Sequence, residues 1–562
     1  MTDICEKYVR DEYSADGKLE RVWFDLPDNF NFGYDVVDHI AKNEPQKRAI
    51  VFKSLKGDVT EYSFEDVSKK SSRIANMLME QGIKRGDKVM LILKRRVEYW
   101  FATVALHKLG AVSIPTSNMV SHTDISYRIK EADIKCIICA DDDHICGCVD
   151  KAIEAVKDTH PVIKYITKGD REGYFDLNKE MEKASDVFAR QDTKISDIML
   201  LYFTSGTTGE PKAVLHDFGY PLSHIVTARN WHGVMDNGLH FAIADSGWAK
   251  SAWGKIYGQW MCGSAVMVYD YEQFYANEIL GIIENCKVNT FCAPPTIYKY
   301  LLREEIENYD LSSLKQATTA GEPMPIEIMK QFKERTGIQI RIGFGQTETA
   351  MITGILTGEE QHLDCIGKPS PMYRTRVIDE DGNEAKAGEP GELVILPHDG
   401  KGYPVGVFVG YFKDEKMYAN VWRNGVYHTN DKVYYDENGD IYFVGRTDDV
   451  IKSSGYRIGP VEVENIIMKH PAVFECAVTG YPSETRGNIV KASIVLHKGY
   501  SPDKKLKVEI QDFVKERTAM YKYPRKVEFY DELPKTVSGK ISREQIRRKD
   551  LEEIAKSGKK NK

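Results

Sequence analysis

Residues 202–214 read Tyr-Phe-Thr-Ser-Gly-Thr-Thr-Gly-Glu-Pro-Lys-Ala-Val. The apolar run at 198–203 predicts a buried strand, which leads into a loop of hydroxyls and glycines. Glycines let the backbone approach a ligand closely and turn its N–H groups toward it, and a lysine adds a point charge. The stretch therefore predicts a polyphosphate-binding loop rather than an ordinary Ser/Gly-rich surface loop. It is not the P-loop of kinases and GTPases, because no Gly-Lys-Ser/Thr follows. The predicted phosphate-binding residues are Thr204, Ser205, Gly206, Thr207, Thr208, Gly209 and Lys212.

The chain around this loop alternates between helical and strand patterns. Ser63-Phe-Glu-Asp66 resembles a capping box, and the amphipathic helix that follows it ends at Gly82. A buried strand at 88–93, a helix at 97–109 and a strand at 111–115 come next. This order predicts βαβ units, and hence an α/β fold of layered sheets with flanking helices. A chain of 562 residues is too long for one core, so more than one domain is expected.

The composition narrows the class of protein. The apolar share of 42% and the charged share of 29% are typical of a soluble globular protein. No apolar run approaches about 20 residues, so no membrane span is expected. The acidic N-terminus lacks the pattern of a signal or transit peptide, and the C-terminus is not a peroxisomal address. The cytoplasm is predicted by elimination.

The net charge of −7 is unevenly distributed. Residues 449–562 carry a net charge of +8, whereas residues 1–448 carry −15. A basic segment of this kind suits either a nucleic-acid surface or the attraction of a phosphate-rich small molecule. The polyphosphate loop favours the second reading, so no nucleic-acid partner is expected.

A group of cysteines raises the question of a zinc site. Cys136, Cys139, His144, Cys146 and Cys148 lie close together in the sequence. The spacing of the second cysteine pair is unusual for zinc. Residues 134–139 also have the pattern of a buried strand, in which cysteine serves as a small hydrophobe. We therefore expect reduced, structural thiols here.

Further motifs follow the loop in order. They are Asp245-Ser-Gly-Trp-Ala-Lys-Ser-Ala-Trp-Gly254, Ala320-Gly-Glu-Pro323, Arg341-Ile-Gly-Phe-Gly-Gln-Thr-Glu-Thr349, His428-Thr-Asn-Asp431, the stretch Gly445-Arg-Thr-Asp-Asp-Val-Ile-Lys-Ser-Ser-Gly-Tyr-Arg-Ile-Gly-Pro460, and Pro534-Lys-Thr-Val-Ser-Gly-Lys540. Together with the loop they resemble the signatures of the acyl-adenylate-forming superfamily. The likeness covers nearly the whole chain and is nearest to medium-chain acyl-CoA synthetases. It implies a large N-terminal domain, residues 1–447, and a small mobile α+β domain, residues 448–562, with a hinge at Asp448.

The resemblance also implies a reaction. A carboxylic acid of short or medium chain length, branched acids included, is joined to ATP as an acyl-adenylate, and its acyl group then passes to coenzyme A. Lys540, Glu348, Thr347 and Arg457 are the implied catalytic residues, and Glu348 also holds Mg²⁺. The remaining ATP contacts are assigned to Gly321, Glu322, Pro323, Gln346, Asp431 and Arg446. Coenzyme A is assigned to Ser454, Gly455, Tyr456, Arg486 and Tyr523.

The acyl end carries a separate expectation. Trp248 and Trp253 are either core residues or walls of an apolar slot, and the resemblance favours the slot. Acetyl-specific relatives have a tryptophan where this chain has Gly345, so an open slot is expected there. Two alternatives stay open: an adenylating enzyme with another acyl acceptor, and a catalytically idle nucleotide-binding protein. The oligomeric state is also open, with a homodimer as one alternative.

Overall fold

The computed structural model describes residues 2–204, 211–360, 362, 364–397, 404–446, 449–453, 456–483, 486–536 and 539–560. The chain forms two compact units. The first comprises Met1–Gln361, Pro369–Arg374 and Pro397–Asn420, and the second comprises His362–Lys368, Thr375–Leu396 and Val421–Lys562. Asp448 lies outside the described residues, so the hinge and the division after residue 447 stay predictions.

The secondary structure up to residue 360 alternates between strands and helices. In chain order its elements are α1 (Asp3–Tyr8), β1 (Val9–Tyr13), β2 (Leu19–Phe24), a π-helix (Gly33–Asp38), α2 (His39–Asn43), β3 (Arg48–Lys53), β4 (Val59–Ser63), α3 (Phe64–Glu80), β5 (Lys88–Ile92), α4 (Glu98–Leu109), β6 (Val112–Pro115), α5 (His122–Ala132), β7 (Ile134–Cys139), α6 (Asp143–Glu154), β8 (Ile163–Ile166), β9 (Phe175–Asp176), α7 (Leu177–Lys183), β10 (Ile198–Thr204), β11 (Lys212–Asp217), α8 (Tyr220–Val226), a second π-helix (Thr227–His232), β12 (Leu239–Ala242), α9 (Lys250–Gly254), α10 (Tyr257–Met261), β13 (Ala265–Tyr269), α11 (Ala276–Asn285), β14 (Thr290–Cys292), α12 (Pro295–Leu301), a 3₁₀ turn (Ile306–Asn308), β15 (Gln316–Ala320), α13 (Ile326–Thr336), β16 (Ile340–Gly345) and β17 (Met351–Gly354).

The remainder of the chain is richer in strands. Its elements are β18 (Lys368–Pro369), β19 (Arg374–Ile378), β20 (Gly391–Leu396), β21 (Gly410–Tyr411), α14 (Glu415–Val421), β22 (Trp422–Arg423), β23 (Val426–Tyr435), β24 (Ile441–Arg446), β25 (Ile451–Ser453), β26 (Tyr456–Ile458), α15 (Pro460–Ile467), β27 (Val473–Ser483), β28 (Gly487–Leu496), α16 (Lys504–Lys515), β29 (Lys526–Phe529) and α17 (Arg543–Lys560).

The first unit contains two large sheets. One sheet has the strand order β21-β11-β10-β6-β5-β7-β8-β9, and the other contains β17-β16-β15-β14-β12-β13-β3-β4. In the second sheet the pairings from β16 to β3 are parallel, while β17 and β4 are antiparallel at its two sides. The predicted βαβ architecture is confirmed.

The local predictions around α3 and β7 are also confirmed. The hydroxyl of Ser63 accepts the N–H of Asp66 at 3.2 Å, and the Asp66 carboxylate accepts the N–H of Ser63 at 2.9 Å. This capping box starts α3, and Gly82, with φ of +87°, follows its end. Cys136 and Cys139 are buried in β7, where they pack as small apolar side chains. Among the described residues, no group of three or more His, Cys, Asp or Glu side chains could hold a metal ion.

The second unit contains two smaller sheets. The order β19-β20-β23-β22 forms one, with β24 paired to β23. The order β26-β25-β28-β27 forms the other, with β29 paired to β28, and α15 and α16 supply buried side chains to its core. In the parts of the chain that the structure describes, we find no helix long and apolar enough to cross a membrane.

Candidate active site

The parallel strands of the second large sheet place several predicted residues at one edge. β14, β15 and β16 run in the same direction, with Ala320 of β15 opposite Gly343 of β16. The residues that follow these strands therefore share the carboxyl edge of the sheet, where ligands bind in α/β folds. Gly321, Glu322 and Pro323 follow β15, and Gln346, Thr347 and Glu348 follow β16. Their contact with adenine and with phosphate stays a prediction.

The turn after β16 is held by its own hydrogen bonds. The N–H of Gln346 donates to the Thr349 hydroxyl at 3.0 Å, and the N–H of Thr349 donates to the carbonyl of Gln346 at 3.3 Å. This closed turn fixes the backbone on both sides of Thr347 and Glu348.

The carboxylate of Glu348 has a partner that the sequence did not reveal. The hydroxyl of Tyr411 donates to Oε1 of Glu348 at 2.8 Å, and Nζ of Lys212 lies 5.6 Å from the centre of the Tyr411 ring. Tyr411 reaches this position because β21 pairs with β11, with Tyr411 opposite Val214. The structure thus brings two predicted residues, Lys212 and Glu348, to the same tyrosine. Tyr411 lies in no recognised motif, and only strand pairing distant in sequence reveals it.

These groups fit Mg²⁺ bound together with phosphate. A hard dication prefers carboxylate and phosphate oxygens. The Tyr411 bond orients the Glu348 carboxylate, and Lys212 supplies a neighbouring positive charge for phosphate oxygens. Lys212 is paired with Thr204, so these two residues flank the predicted phosphate loop. Residues 205–210, which include Ser205, Gly206, Thr207, Thr208 and Gly209, lie outside the described residues.

The side chain of His216 also contacts this turn. Its Nε2 lies 2.8 Å from the carbonyl oxygen of Thr347. Burial lowers the pKa of His216 to about 4, so the ring is neutral near pH 7. Since a carbonyl only accepts, Nε2 carries the proton and donates to Thr347. His216 is thus a second supporting residue that sequence analysis did not single out.

Two glycines of β16, in the region predicted to bind the acyl group, are covered by tryptophan rings. A Cβ on Gly345 would lie 2.6 Å from Cη2 of Trp253 and 2.6 Å from the carbonyl oxygen of Ala350. A Cβ on Gly343 would lie 2.6 Å from Cε2 of Trp231. The two indoles meet edge to face, with centroids 6.0 Å apart.

This arrangement corrects the expectation of an open slot at Gly345. The space next to the glycine is taken by the Trp253 ring, because the missing side chain lets the indole approach the backbone. Trp248, the other expected wall, is half-buried in the turn between β12 and α9. Trp253, rather than an empty position, is therefore the residue that limits the space beside Gly345.

In the second unit, Asp431 is held in a polar corner. Its carboxylate is buried and lies 3.5 Å from a guanidinium nitrogen of Arg446, and its N–H donates to the Thr429 hydroxyl at 3.0 Å. Glu392 accepts the N–H of Asn430 at 2.9 Å, and its second oxygen lies 2.9 Å from Nδ1 of His428. These bonds fix the backbone that leads into Asp431.

The departure from the superfamily motif at Asn430 has a conformational reason. Asn430 has φ of +57°, in the left-handed region that favours glycine and tolerates asparagine. The superfamily commonly has glycine here, and asparagine preserves the same backbone geometry. The substitution therefore keeps a backbone conformation that glycine also adopts.

Lys540 ends a tight turn in the second unit. The N–H of Thr536 donates to the carbonyl of Lys540 at 2.7 Å, and Gly539 has φ of +80°. The side chain of Lys540 is exposed. Arg457 lies in β26 opposite Lys452 of β25. The Arg457 side chain, like Asp448, Ser454 and Gly455, is not among the described parts of the structure.

Three of the residues assigned to coenzyme A, Tyr456, Tyr523 and Arg486, have described side chains in the second unit. The Tyr456 ring is 51% exposed and stacks on Tyr521, with centroids 4.1 Å apart and planes 8° apart. Tyr523 lies between cations: Nζ of Lys515 is 4.8 Å from its ring centre, and Arg525 donates to its hydroxyl at 2.9 Å. Arg486 is exposed at the turn between β27 and β28. Exposed rings and cations suit a nucleotide with several phosphates.

Comparison with known proteins decides the family. The model of the AMP-binding enzyme family matches residues 37–412, and the model of its C-terminal domain matches residues 462–540. The chain belongs to the AMP-binding enzyme family. The rat mitochondrial acyl-coenzyme A synthetase ACSM3 is 39% identical over 539 residues, which are 94% of this chain and 91% of the relative.

Two further relatives of this AMP-binding enzyme carry substrates in their names. 4-Hydroxybutyrate–CoA ligase 1 of Metallosphaera sedula is 37% identical over 532 residues, covering 94% of this chain and 92% of the relative. The crystal structure of the anthranilate CoA ligase AuaEII in complex with anthranoyl-AMP is similar with a TM-score of 0.85 and 27% identity, covering 94% of this chain and 99% of that one. The predicted fold class and superfamily are confirmed.

Proposed function

We propose that this chain is an ATP-dependent, AMP-forming acyl-CoA synthetase for carboxylic acids of short or medium length. The observation that carries the proposal is the group at the end of β16. There Glu348, Lys212 and Tyr411 meet beside Thr347, and the Trp253 ring lies against Gly345 only a few residues earlier in the chain. A site for a metal-bound phosphate and an aromatic wall for an acyl group are thus joined by one short turn.

In the first half-reaction, an oxygen of the substrate carboxylate attacks the α-phosphorus of ATP. The bond to the bridging oxygen breaks, and pyrophosphate leaves with its electron pair. Such a reaction needs positioning and neutralisation of charge rather than a protein nucleophile. Lys212, Arg457 and Lys540 are assigned to the phosphate charge, Thr347 to the α-phosphate and Glu348 to Mg²⁺, which supplies Lewis-acid stabilisation of phosphate oxygens when bound.

Asp431 is assigned to the ribose of ATP. A carboxylate accepts hydrogen bonds from two hydroxyls, and the backbone bonds around Asn430 hold this one in a fixed position. Arg446, 3.5 Å from Asp431, pairs with the buried carboxylate.

In the second half-reaction, the thiolate of coenzyme A attacks the acyl carbonyl and AMP leaves. Tyr456, Arg486 and Tyr523 are assigned to the nucleotide part of coenzyme A, and Ser454 and Gly455 to its pantetheine arm. A rotation at Asp448 between the half-reactions completes the proposal, because one lysine and one thiol cannot occupy the same approach to the acyl group.

The Trp253 ring sets the proposed limit on the size of the acid. Since Trp253 fills the space beside Gly345, acids with long unbranched chains are expected to be poor substrates. Short and medium acids, branched ones included, remain the proposed class.

The test is ATP–pyrophosphate exchange over acids of rising length and branching, followed by AMP release with and without coenzyme A. Exchange that requires an acid, together with AMP release that requires coenzyme A, supports the proposal. Exchange with AMP release that ignores coenzyme A favours another acyl acceptor. An absence of exchange with every acid indicates the idle nucleotide-binding protein.

The cellular compartment and the oligomeric state are also part of the proposal. The cytoplasm is proposed from the sequence, whereas the rat relative is named as mitochondrial. Cell fractionation with an antibody against the chain distinguishes the two compartments. A homodimer is tested by light scattering of the purified protein.

A further inference from the structure

The helix α17 begins directly after the loop that carries Lys540. Its first residue, Arg543, lies three positions beyond the lysine. The loop is closed at its base, because the N–H of Thr536 donates to the carbonyl of Lys540 at 2.7 Å and the N–H of Ser542 donates to the carbonyl of Pro534 at 2.8 Å. The loop and the start of the helix therefore form one unit, so a change in the orientation of α17 moves Lys540.

The first turns of α17 carry two arginines to a single carboxylate. Nη1 of Arg547 lies 2.5 Å from Oδ1 of Asp449, and Nη1 of Arg543 lies 3.7 Å from Oδ2. The two arginines are four positions apart, which places them on the same face of the helix. The Asp449 side chain is only 14% exposed, and charges attract more strongly where water is excluded. We call Asp449, Arg543 and Arg547 the Asp449 clamp.

A second carboxylate holds Arg543 independently of Asp449. Nη2 of Arg543 lies 2.7 Å and 2.8 Å from the two carboxylate oxygens of Glu464 in α15. Glu464 is buried and also accepts the N–H of Val478 in β27 at 2.7 Å. These bonds attach α17 to the sheet of its own unit. The contact with Asp449 is thus an additional connection, beyond the attachment of the helix to this sheet.

The position of Asp449 indicates what this connection does. Asp449 directly follows Asp448, the predicted hinge. The N–H of Asp449 donates to the carbonyl of Arg446 at 3.0 Å, and the Arg446 side chain pairs with Asp431, the residue assigned to the ribose of ATP. Through its backbone, Asp449 thus contacts the segment assigned to ATP, and through its side chain it contacts the helix that follows Lys540.

We infer that Asp449 is a positioning residue for the adenylation step, which acts through Arg543 and Arg547 to hold Lys540 in its working position. The inference rests on the proposed acyl-CoA synthetase activity and on the role assigned there to Lys540. A positive charge stabilises a transition state only where it is aimed at the developing charge. Since a displacement of about 1 Å can lower a rate by about 10²-fold, a carboxylate that does not touch ATP can still control this step.

The two half-reactions separate this role from a purely structural one. Lys540 is assigned to adenylation, whereas the residues assigned to coenzyme A lie in β26 or just before it, at the turn between β27 and β28, and before β29. These segments are distinct from α17 and from the loop before it. Loss of the clamp is therefore expected to slow adenylation and to spare the transfer to coenzyme A. A loss of stability in the whole unit would slow both half-reactions.

The experiment measures both half-reactions in Asp449→Asn and Arg547→Gln. ATP–pyrophosphate exchange reports adenylation, and the conversion of synthetic acyl-adenylate and coenzyme A to thioester reports the transfer. The rate of exchange is expected to fall about 10- to 100-fold in each variant, while the rate of transfer stays within about twofold of the wild-type rate. Asp449→Glu keeps the negative charge and is expected to recover part of the exchange rate.

A second comparison tests whether Asp449 acts through Lys540. In the Lys540→Ala background, Asp449→Asn is expected to lower exchange by less than about twofold, because the group that it positions is already absent. Asp550→Asn is the matched control for stability. Asp550 also lies in α17 and pairs with the buried Lys491 of β28, but about two turns beyond Arg543. This control is expected to lower the melting temperature and to leave the ratio of the two half-reaction rates unchanged.

Three outcomes would overturn the inference. If Asp449→Asn and Arg547→Gln leave both half-reactions unchanged or lower them equally, the clamp is structural only. The same conclusion follows if neither variant folds, or if Asp449→Asn has as large an effect in Lys540→Ala as in the wild type. An absence of exchange in the wild-type enzyme with every acid would instead refute the proposed function. Exchange that Lys540→Ala does not slow would refute the role of the lysine.

Discussion

Replacing Trp253 with leucine tests whether this ring sets the length of the acyl group. The indole lies against Gly345, where even a Cβ would approach Cη2 to 2.6 Å. Leucine is too short to fill the same space, so Trp253→Leu opens the position beside the glycine. Each additional methylene buried there is worth about 0.8 kcal/mol, or about a fourfold gain in kcat/KM. An acid longer by two methylenes is therefore expected to gain about 15-fold relative to the wild-type profile.

The assay is ATP–pyrophosphate exchange with unbranched acids from propionate to octanoate. The preferred chain length is expected to rise in Trp253→Leu, while the shortest acids lose activity because they no longer contact a wall. The variant also loses buried area, at a cost of about 1–3 kcal/mol of unfolding free energy.

Trp260→Leu is the matched control for that loss of stability. Trp260 is equally buried in α10 and donates from its indole nitrogen to the Ala49 carbonyl at 3.0 Å. Its replacement is expected to lower the melting temperature without changing the order of acids. The reasoning is refuted if Trp253→Leu is folded and active but its chain-length profile runs parallel to that of the wild type.

Three other predictions follow from the same structure. Tyr411→Phe removes the hydrogen bond to the Glu348 carboxylate, and a hydrogen bond to a charged group is worth about 1.5–3 kcal/mol. The rate of pyrophosphate exchange should therefore fall about 10- to 100-fold, and the variant should need a higher Mg²⁺ concentration. An unchanged Mg²⁺ dependence would contradict the orienting role of Tyr411. Lys540→Ala should lower the rate of pyrophosphate exchange by about 10²–10³-fold. The variant should still convert synthetic acyl-adenylate and coenzyme A to thioester. Equal loss of rate in both half-reactions would show that Lys540 does not have the role assigned to it. Burial lowers the pKa of His216 to about 4 and that of His224 to about 3, below the unfolded value of about 6.5, and it also lowers the pKa of His107, His232 and His240. Each of these rings contributes stability that is complete above pH 6.5 and is lost as pH falls, by about 1.4 kcal/mol per pH unit. Urea unfolding between pH 7 and 5 should show a slope summed over these rings, and the slope in His224→Phe should be smaller by the share of one ring; an equal slope in the variant would contradict the lowered pKa of His224.

Much of the fold was predictable because it depends on local patterns. The capping box at Ser63, the strand at 134–139 and the alternation of strands and helices are encoded within short windows of sequence, and the structure contains each of them. The family was also readable from the sequence, since the motifs around Thr204, Glu348 and Asp431 keep their residue types and their order.

Sequence alone also assigned roles to residues with recognisable chemistry, and those roles stay predictions. Lys212 and Glu348 were assigned to one site from motifs more than 130 positions apart, and the structure brings both to Tyr411. Asn430 in place of glycine looked like a departure, and its positive φ shows that it is an equivalent choice.

The tertiary structure alone decided which segments distant in sequence come into contact. Tyr411 reaches Glu348 only because β21 pairs with β11, and Trp253 reaches Gly345 only because α9 packs against the end of β16. The stacking of His216 on Tyr220 is equally invisible in the sequence, since a histidine in a strand shows nothing of its neighbours in the folded chain. A glycine in a motif shows only that a side chain is missing at that position. The neighbouring ring that fills the space is decided by packing in the folded chain.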